Sequence, residues 1–184
     1  MGVDPNSYAI FTAEVNPTSA NNLVTFLLAQ AAAGITRLTL AMSCPGGHVV
    51  SGITIYNTML AMPYEIITHN IGNVDSIANV IFLAGKERYA CAASTFMFHS
   101  VGFNAIANQR LEEKNLRELL DSVQADHKRI CEAIAARTKI PIEEGIKLFN
   151  EQRTRDAMWA KSTGVIADVR EFSFPTNRTA QMFQ

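Results

Sequence analysis

Twice between Arg37 and Gly85 a run of aliphatic residues leads into a glycine-bearing turn that opens directly into an apolar helix. The first unit is the strand Arg37-Leu38-Thr39-Leu40-Ala41-Met42 and the turn Ser43-Cys44-Pro45-Gly46-Gly47-His48, followed by Val49, Ile53, Tyr56, Met59 and Leu60 at helical spacing. The second is a strand over Glu65–Thr68, a turn over Asn70–Asp75 and an apolar helix from about Ser76 to Ala84, closed by Gly85. Upstream, Tyr8–Val15 reads as a strand, and Thr18 or Ser19 can cap a helix carrying Leu23, Phe26, Leu27 and Gln30 that ends before Gly34. Strand and helix therefore alternate through Ala84. Because neighbouring parallel strands need a crossover connection, this alternation predicts an α/β chain with a parallel sheet flanked by helices. Arg88–Cys91 and Thr95–His99 add short strands.

The second corner sets Ser76 where strand turns into helix. Such a corner lifts the first helical side chain clear of the backbone and aims nearby N–H groups at whatever that side chain attacks. Ser76 is thus a candidate nucleophile; the competing reading is that Asp75 or Ser76 only caps the helix. Gly46-Gly47 can take backbone conformations closed to other residues and so turn N–H groups toward a developing oxyanion, although an ordinary tight turn also uses Pro-Gly-Gly. Phe96-Met97-Phe98-His99 ends an apolar run on a histidine, the residue type most often used as a general base. His48 and His69 rival His99 on chemical type alone.

Ser43-Cys44-Pro45-Gly46-Gly47-His48-Val49, with Gly52, Ile55-Tyr56 and Thr58-Met59, resembles the Ser-Pro-Gly-Gly loop and following helix of the Clp protease proteolytic subunit, within the superfamily it shares with the crotonases. Gly72 with Ser76 and Phe82-Leu83-Ala84-Gly85 is similar to that family's nucleophile corner, and Phe96-Met97-Phe98-His99 to its histidine strand. Order and spacing stay close to the family from about Tyr8 to His99. The resemblance implies a Clp/crotonase-like fold of repeated ββα-type units and a serine peptidase with a Ser-His-Asp mechanism. Ser76 would attack, His99 would take the proton, and the N–H groups of Gly47 and Ile77 would hold the oxyanion. Two departures stand out: Val74-Asp75 precedes the serine where the family has small residues, and Ser100-Val101 follows the histidine where it has Gln-Pro.

The third member has two candidates. Arg155-Asp156 looks like the family's Arg-Asp pair and makes Asp156 the expected orienting carboxylate. A gapless match of Ala157, Ala160 and Gly164 to the family's final helix instead puts Gln152 at that position and leaves Asp156 as a helix cap, with Val165–Val169 as the expected last strand. A carboxylate stabilises an imidazolium and an amide does so poorly, so Asp156 is the preferred reading.

From about Gln109 to Arg137, Leu116, Leu119, Leu120, Val123, Ile130, Cys131 and Ile134 recur at helical spacing. A helix of that length spans about 40 Å, more than a compact domain of this size needs, and should project. His127 lies on its apolar stripe and reads as a packed or interfacial residue. In the resembled family the matching helix is a handle through which two rings interlock. That implies a self-compartmentalising homo-oligomer, with residues 1–184 forming one Clp-protease-like domain and a handle at about 100–140. An AAA+ unfoldase partner and ATP dependence through it are further implications.

Composition bounds the rest. Charged residues make up 18% of 184 residues, below the roughly 25% of an average soluble domain, which agrees with surface hidden by other subunits. The net charge of −1, without a basic cluster interleaved with aromatics, gives no reason to expect nucleic acid. The longest apolar run is too short to span a bilayer, and Met1-Gly2-Val3-Asp4-Pro5 has neither the basic start nor the apolar core of a signal peptide, so a cytoplasmic location is expected. Cys44, Cys91 and Cys131 are odd in number and lack metal-ligand spacing, which predicts reduced thiols, no metal and no cofactor. Two other readings share the fold: a non-catalytic or weakly active ring subunit, and a crotonase-like acyl-thioester enzyme using paired N–H groups to bind an enolate.

Overall fold

The computed structural model describes residues 5–102 and 110–184. Gln109, part of the expected handle and the first four residues lie outside them. Strands β1 (Asn6–Phe11), β2 (Arg37–Cys44) and β3 (Glu65–Asp75) run parallel side by side, and the crossovers are helices α1 (Pro17–Ala32) and α2 (Val49–Ala61). β3 then serves two neighbours on its far side. Residues Ile67–Asn70 pair with β4 (Glu87–Ala90), and residues Asn73–Asp75 pair with β5 (Thr95–Met97) after the short helix α3 (Ala78–Leu83). The long helix α4 (Glu113–Arg137) and α5 (Ile142–Glu151) follow, then β6 (Thr154–Asp156), α6 (Ala157–Ser162), β7 (Asp168–Val169) and β8 (Gln181–Phe183). β6 is antiparallel to β5, β7 extends the sheet from β4, and β8 covers the outer edge of β1.

The parallel sheet with helical crossovers matches the alternation of apolar runs. Leu38, Leu40, Met42 and Cys44 are fully buried along β2, while Leu23 and Leu27 of α1 and Ile55 and Met59 of α2 close over the sheet. α1 is capped by Asn16, whose side chain accepts from Ser19 N at 2.9 Å while Ser19 Oγ accepts from Asn16 N at 3.0 Å; Pro17 takes the next position, where its missing N–H costs nothing. The expected cap at Thr18 or Ser19 is thus two to three residues late.

Three further expectations change. Asn70–Asp75, expected as a turn, is the second half of an unbroken strand, so β3 reaches both β4 and β5. Gly72 lies within that strand because a Cβ there would meet Ser43 Oγ at 2.5 Å, where the β2–β3 register shifts. The strand expected over Val165–Val169 shrinks to Asp168–Val169 and is not the last one. α4 buries only Ile130, Cys131, Ala133 and Ile134, all in its C-terminal portion, so its N-terminal half stands clear of the core. Arg137 at its end donates to the carbonyls of Leu83 and Gly85, both at 3.0 Å, and so binds the helix to the C-terminus of α3.

Candidate active site

Ser76 sits at the junction of β3 and α3 with φ at 56°, a left-handed conformation that non-glycine residues seldom adopt. Its N–H donates to Met97 O at 2.8 Å, which fastens the corner to β5, two residues before His99. Asn79, the second residue of α3 and buried, donates through Nδ2 to Ser76 O at 3.1 Å and to Met97 O at 2.8 Å. Asn79 thereby ties the end of β3 to β5. Its signal in the sequence was the one polar residue inside Ala78-Asn79-Val80-Ile81-Phe82-Leu83, which was read only as an apolar helix.

The glycine turn packs directly against this corner. Gly46, at φ 90°, has Ser76 Cβ 2.6 Å and Asp75 O 2.7 Å from where its own Cβ would stand, so no other residue fits. Gly47, at φ 137°, lies against Val15, whose N–H donates to Gly46 O and whose carbonyl accepts from His48 N, each at 2.7 Å. That parallel bridge uses the groups on either side of Gly47 and leaves the Gly47 N–H outside it. Ile77 N belongs to the unbonded first turn of α3, with Gly52 of α2 close against the Ile77 side chain.

Glu14, Pro45, Gly46, Gly47, Ser76 and His99 line one cleft of about 400 Å³. His99 Nδ1 lies 2.8 Å from Ser100 O; a carbonyl only accepts, so Nδ1 carries the proton and Nε2 keeps its lone pair. The rival histidines are engaged elsewhere. His48 Nδ1 meets Ser51 Oγ at 2.8 Å at the start of α2, and buried His69 bonds Arg170 O at 3.0 Å between Tyr89 and Phe172. Burial lowers the His69 pKa.

The sheet register and a helix cap place Asp156, the preferred third member, away from His99. Asp156 pairs with Thr95 and its carboxylate accepts from Trp159 N at 2.7 Å, capping α6. Thr95 is four residues from His99, roughly 13 Å along a strand. Continuing the β5–β6 register beyond Met97↔Thr154 brings Gln152, not Asp156, opposite His99. Gln152 is left-handed, at φ 50°, and its Nε2 donates to Ser100 Oγ at 3.3 Å. Ser100 thus joins the two, a link that sequence reading missed because it registered this residue only as a departure from Gln-Pro.

Asp75, the other departure, accepts from Asn73 Nδ2 at 2.6 Å, and Asn73 Oδ1 in turn accepts from Ser43 Oγ at 3.0 Å. Cys44 is buried behind the glycine turn; burial pushes its thiol up to about 11, opposed by the Gly46 N–H and aided by the charges of Asp75 and Glu14. All three cysteines are free thiols, and no group of His, Cys, Asp or Glu among the described residues could hold a metal. No helix among the described residues is long and apolar enough to cross a membrane.

Comparison with known proteins identifies the family. The family model described as Clp protease matches residues 6–172. ATP-dependent Clp protease proteolytic subunit 2 of Thermobifida fusca (strain YX) is 30% identical over 161 residues, covering 85% of this chain and 76% of that protein. Proteolytic subunit 1 of Corynebacterium jeikeium (strain K411) is 28% identical over 161 residues, covering 85% and 82%. A point mutant of ClpP1 from Listeria monocytogenes superposes with a TM-score of 0.78 at 20% identity, covering 90% of this chain and 91% of that one, which shows the shared fold. With its Clp/crotonase-like fold and a family match over nearly its whole length, the chain belongs to the Clp protease family, whose proteolytic subunits are serine endopeptidases.

Proposed function

We propose that the protein is a serine peptidase that hydrolyses peptide bonds through a Ser76–His99 pair and a backbone oxyanion hole at Gly47 and Ile77. The observation that carries this reading is the shared cleft: a strained serine, a histidine with a free Nε2 and two glycines with positive φ line the same space. Ser76 Oγ attacks the carbonyl carbon while His99 Nε2 takes its proton. The carbonyl oxygen becomes an anion facing the N–H groups of Gly47 and Ile77. His99 then returns the proton to the leaving amine, and water, deprotonated by the same nitrogen, frees the acyl group from Ser76. A crotonase-like thioester chemistry would use the two N–H groups but gives no role to the Ser76–His99 pair.

The register opposite His99 favours a second reading, that of a weakly active subunit. With an amide at Gln152, the imidazolium formed in the transition state leans on the Ser100 carbonyl rather than on a carboxylate. We further place the protein in the cytoplasm as a single domain that assembles into a homo-oligomeric ring, with an AAA+ unfoldase as its partner; the exposed Leu116 and Leu120 on α4 support the assembly. The test is a fluorophosphonate probe with a fluorogenic peptide: wild-type protein is labelled at Ser76 and turns over peptide, and Ser76→Ala loses both. Equal turnover by purified Ser76→Ala would end the peptidase reading.

A further inference from the structure

We propose that Glu14 is a specificity-determining residue that draws into the Ser76 cleft peptides carrying Lys or Arg beside the scissile bond. The inference rests on the peptidase reading above and adds the substrate's charge. Between β1 and α1 the side chains alternate: Ala13 and Val15 are buried, and Glu14 between them turns outward to line the cleft with Gly47, Ser76 and His99. Its backbone is held firmly. Val15 is bridged to the glycine turn on both sides of Gly47, and the Glu14 carbonyl accepts from Ser19 Oγ at 2.7 Å at the start of α1. Glu14 Cγ would be 3.1 Å from a Cβ on Gly47, so the side chain lies over the very loop whose N–H faces the substrate carbonyl.

The carboxylate itself has no work in the fold. Among the described residues it has no hydrogen-bond or ion-pair partner. Among the described residues no Lys or Arg lines the cleft, and Glu14 is the one carboxylate in its lining. A negative field beside the oxyanion hole opposes the charge that develops there, and a cationic substrate side chain offsets it. Such a peptide gains both an ion pair with Glu14 and a less hostile setting for the oxyanion.

Binding of dye-labelled peptides to the Ser76→Ala protein, followed by fluorescence anisotropy, reads the preference apart from the chemistry. The peptides differ at one position, scanned along the sequence, as Lys, norleucine or Glu. Lys is expected to bind about fivefold tighter than norleucine at one or two positions, with Glu weakest. In Ser76→Ala with Glu14→Gln the Lys-to-norleucine ratio falls to about one, and with Glu14→Lys the Glu peptide becomes the tighter ligand. A ratio of about one with Glu14 in place, a ratio that survives Glu14→Gln, or no binding of any Lys peptide overturns the proposal. Failure of the peptidase reading shows separately, as wild-type protein that fluorophosphonate leaves unlabelled.

Discussion

An imidazole acts as a base toward Ser76 only while the proton sits on its other nitrogen, and here the Ser100 carbonyl holds it there. This arrangement orients neutral His99 but does little for the imidazolium, which wants a negative charge nearby. Extending the β5–β6 register two residues past Met97↔Thr154, and the bond from Gln152 to Ser100, favour Gln152 for that place on the reading proposed above. Gln152→Asp should therefore raise kcat for a small peptide about tenfold or more. The acidic limb of its pH–rate profile should move upward, since a carboxylate stabilises protonated His99. Aspartate also tolerates the left-handed backbone at this position better than glutamine. Asp156→Asn should change turnover little, because asparagine caps a helix about as well. A large loss in Asp156→Asn with no gain in Gln152→Asp, at equal oligomeric state, would return the role to Asp156. Ser76 was singled out by the glycine-bearing corner before an apolar helix and His99 by the apolar run that precedes it, and both line one cleft. The third position was not legible, because its partner is chosen by an antiparallel pairing between β5 and a segment more than fifty residues away, and no local pattern encodes that register.

Elements with local signals emerged and those resting on tertiary contacts did not. α1, α2 and the long α4 follow from helical spacing of apolar residues, and β1 and β2 from their extended apolar runs. The second half of β3 carried Asn70, Gly72, Asn73 and Asp75, turn-forming types that only pairing with β5 and side-chain bonds to Ser43 keep extended. α5 and β8 were passed over. β8 is held by β1 and by Phe183 packing on Phe11 and Phe26, contacts no sequence window contains. α4 carries one further device: His127 Nε2 accepts from Val101 N at 2.8 Å, with the ring against Phe149, and so ties the long helix to the segment just after His99. Burial lowers the His127 pKa against a weaker upward pull from Asp126, so the folded state favours the neutral ring. Its contribution to stability is present above the ordinary histidine value of about 6.5 and is lost as pH falls below it, since the unfolded chain then binds a proton that the native bond excludes. The urea midpoint of wild-type protein should thus drop more between about pH 7.5 and about pH 5.5 than that of His127→Gln, whose amide oxygen accepts without titrating. Parallel slopes in the two proteins would remove His127 from this role.

At the scale of the whole molecule, α4 is half inside and half outside. Its C-terminal portion buries Ile130, Cys131 and Ile134, while Leu116 and Leu120 on the same stripe are 49% and 55% exposed. One helix face that is apolar beyond the end of its own core needs a second surface, and under the proposed assembly a further copy of the chain would supply one with matching composition. Ile142 and Ile146 on α5 and Met158 on α6 extend the exposed apolar area. The low charge content agrees with the same assembly. Wild-type protein at micromolar concentration should therefore run as a large oligomer by native mass spectrometry or light scattering. Leu120→Glu should split it into smaller species, because seating an unpaired carboxylate in an apolar contact costs several kcal/mol. The same substitution on an exposed helix face should shift the stability of the isolated chain by only about 0.5 kcal/mol, so circular dichroism should stay unchanged. A wild-type monomer at that concentration, or a Leu120→Glu protein that keeps its full mass, would mean that the outer half of α4 does not join the rings.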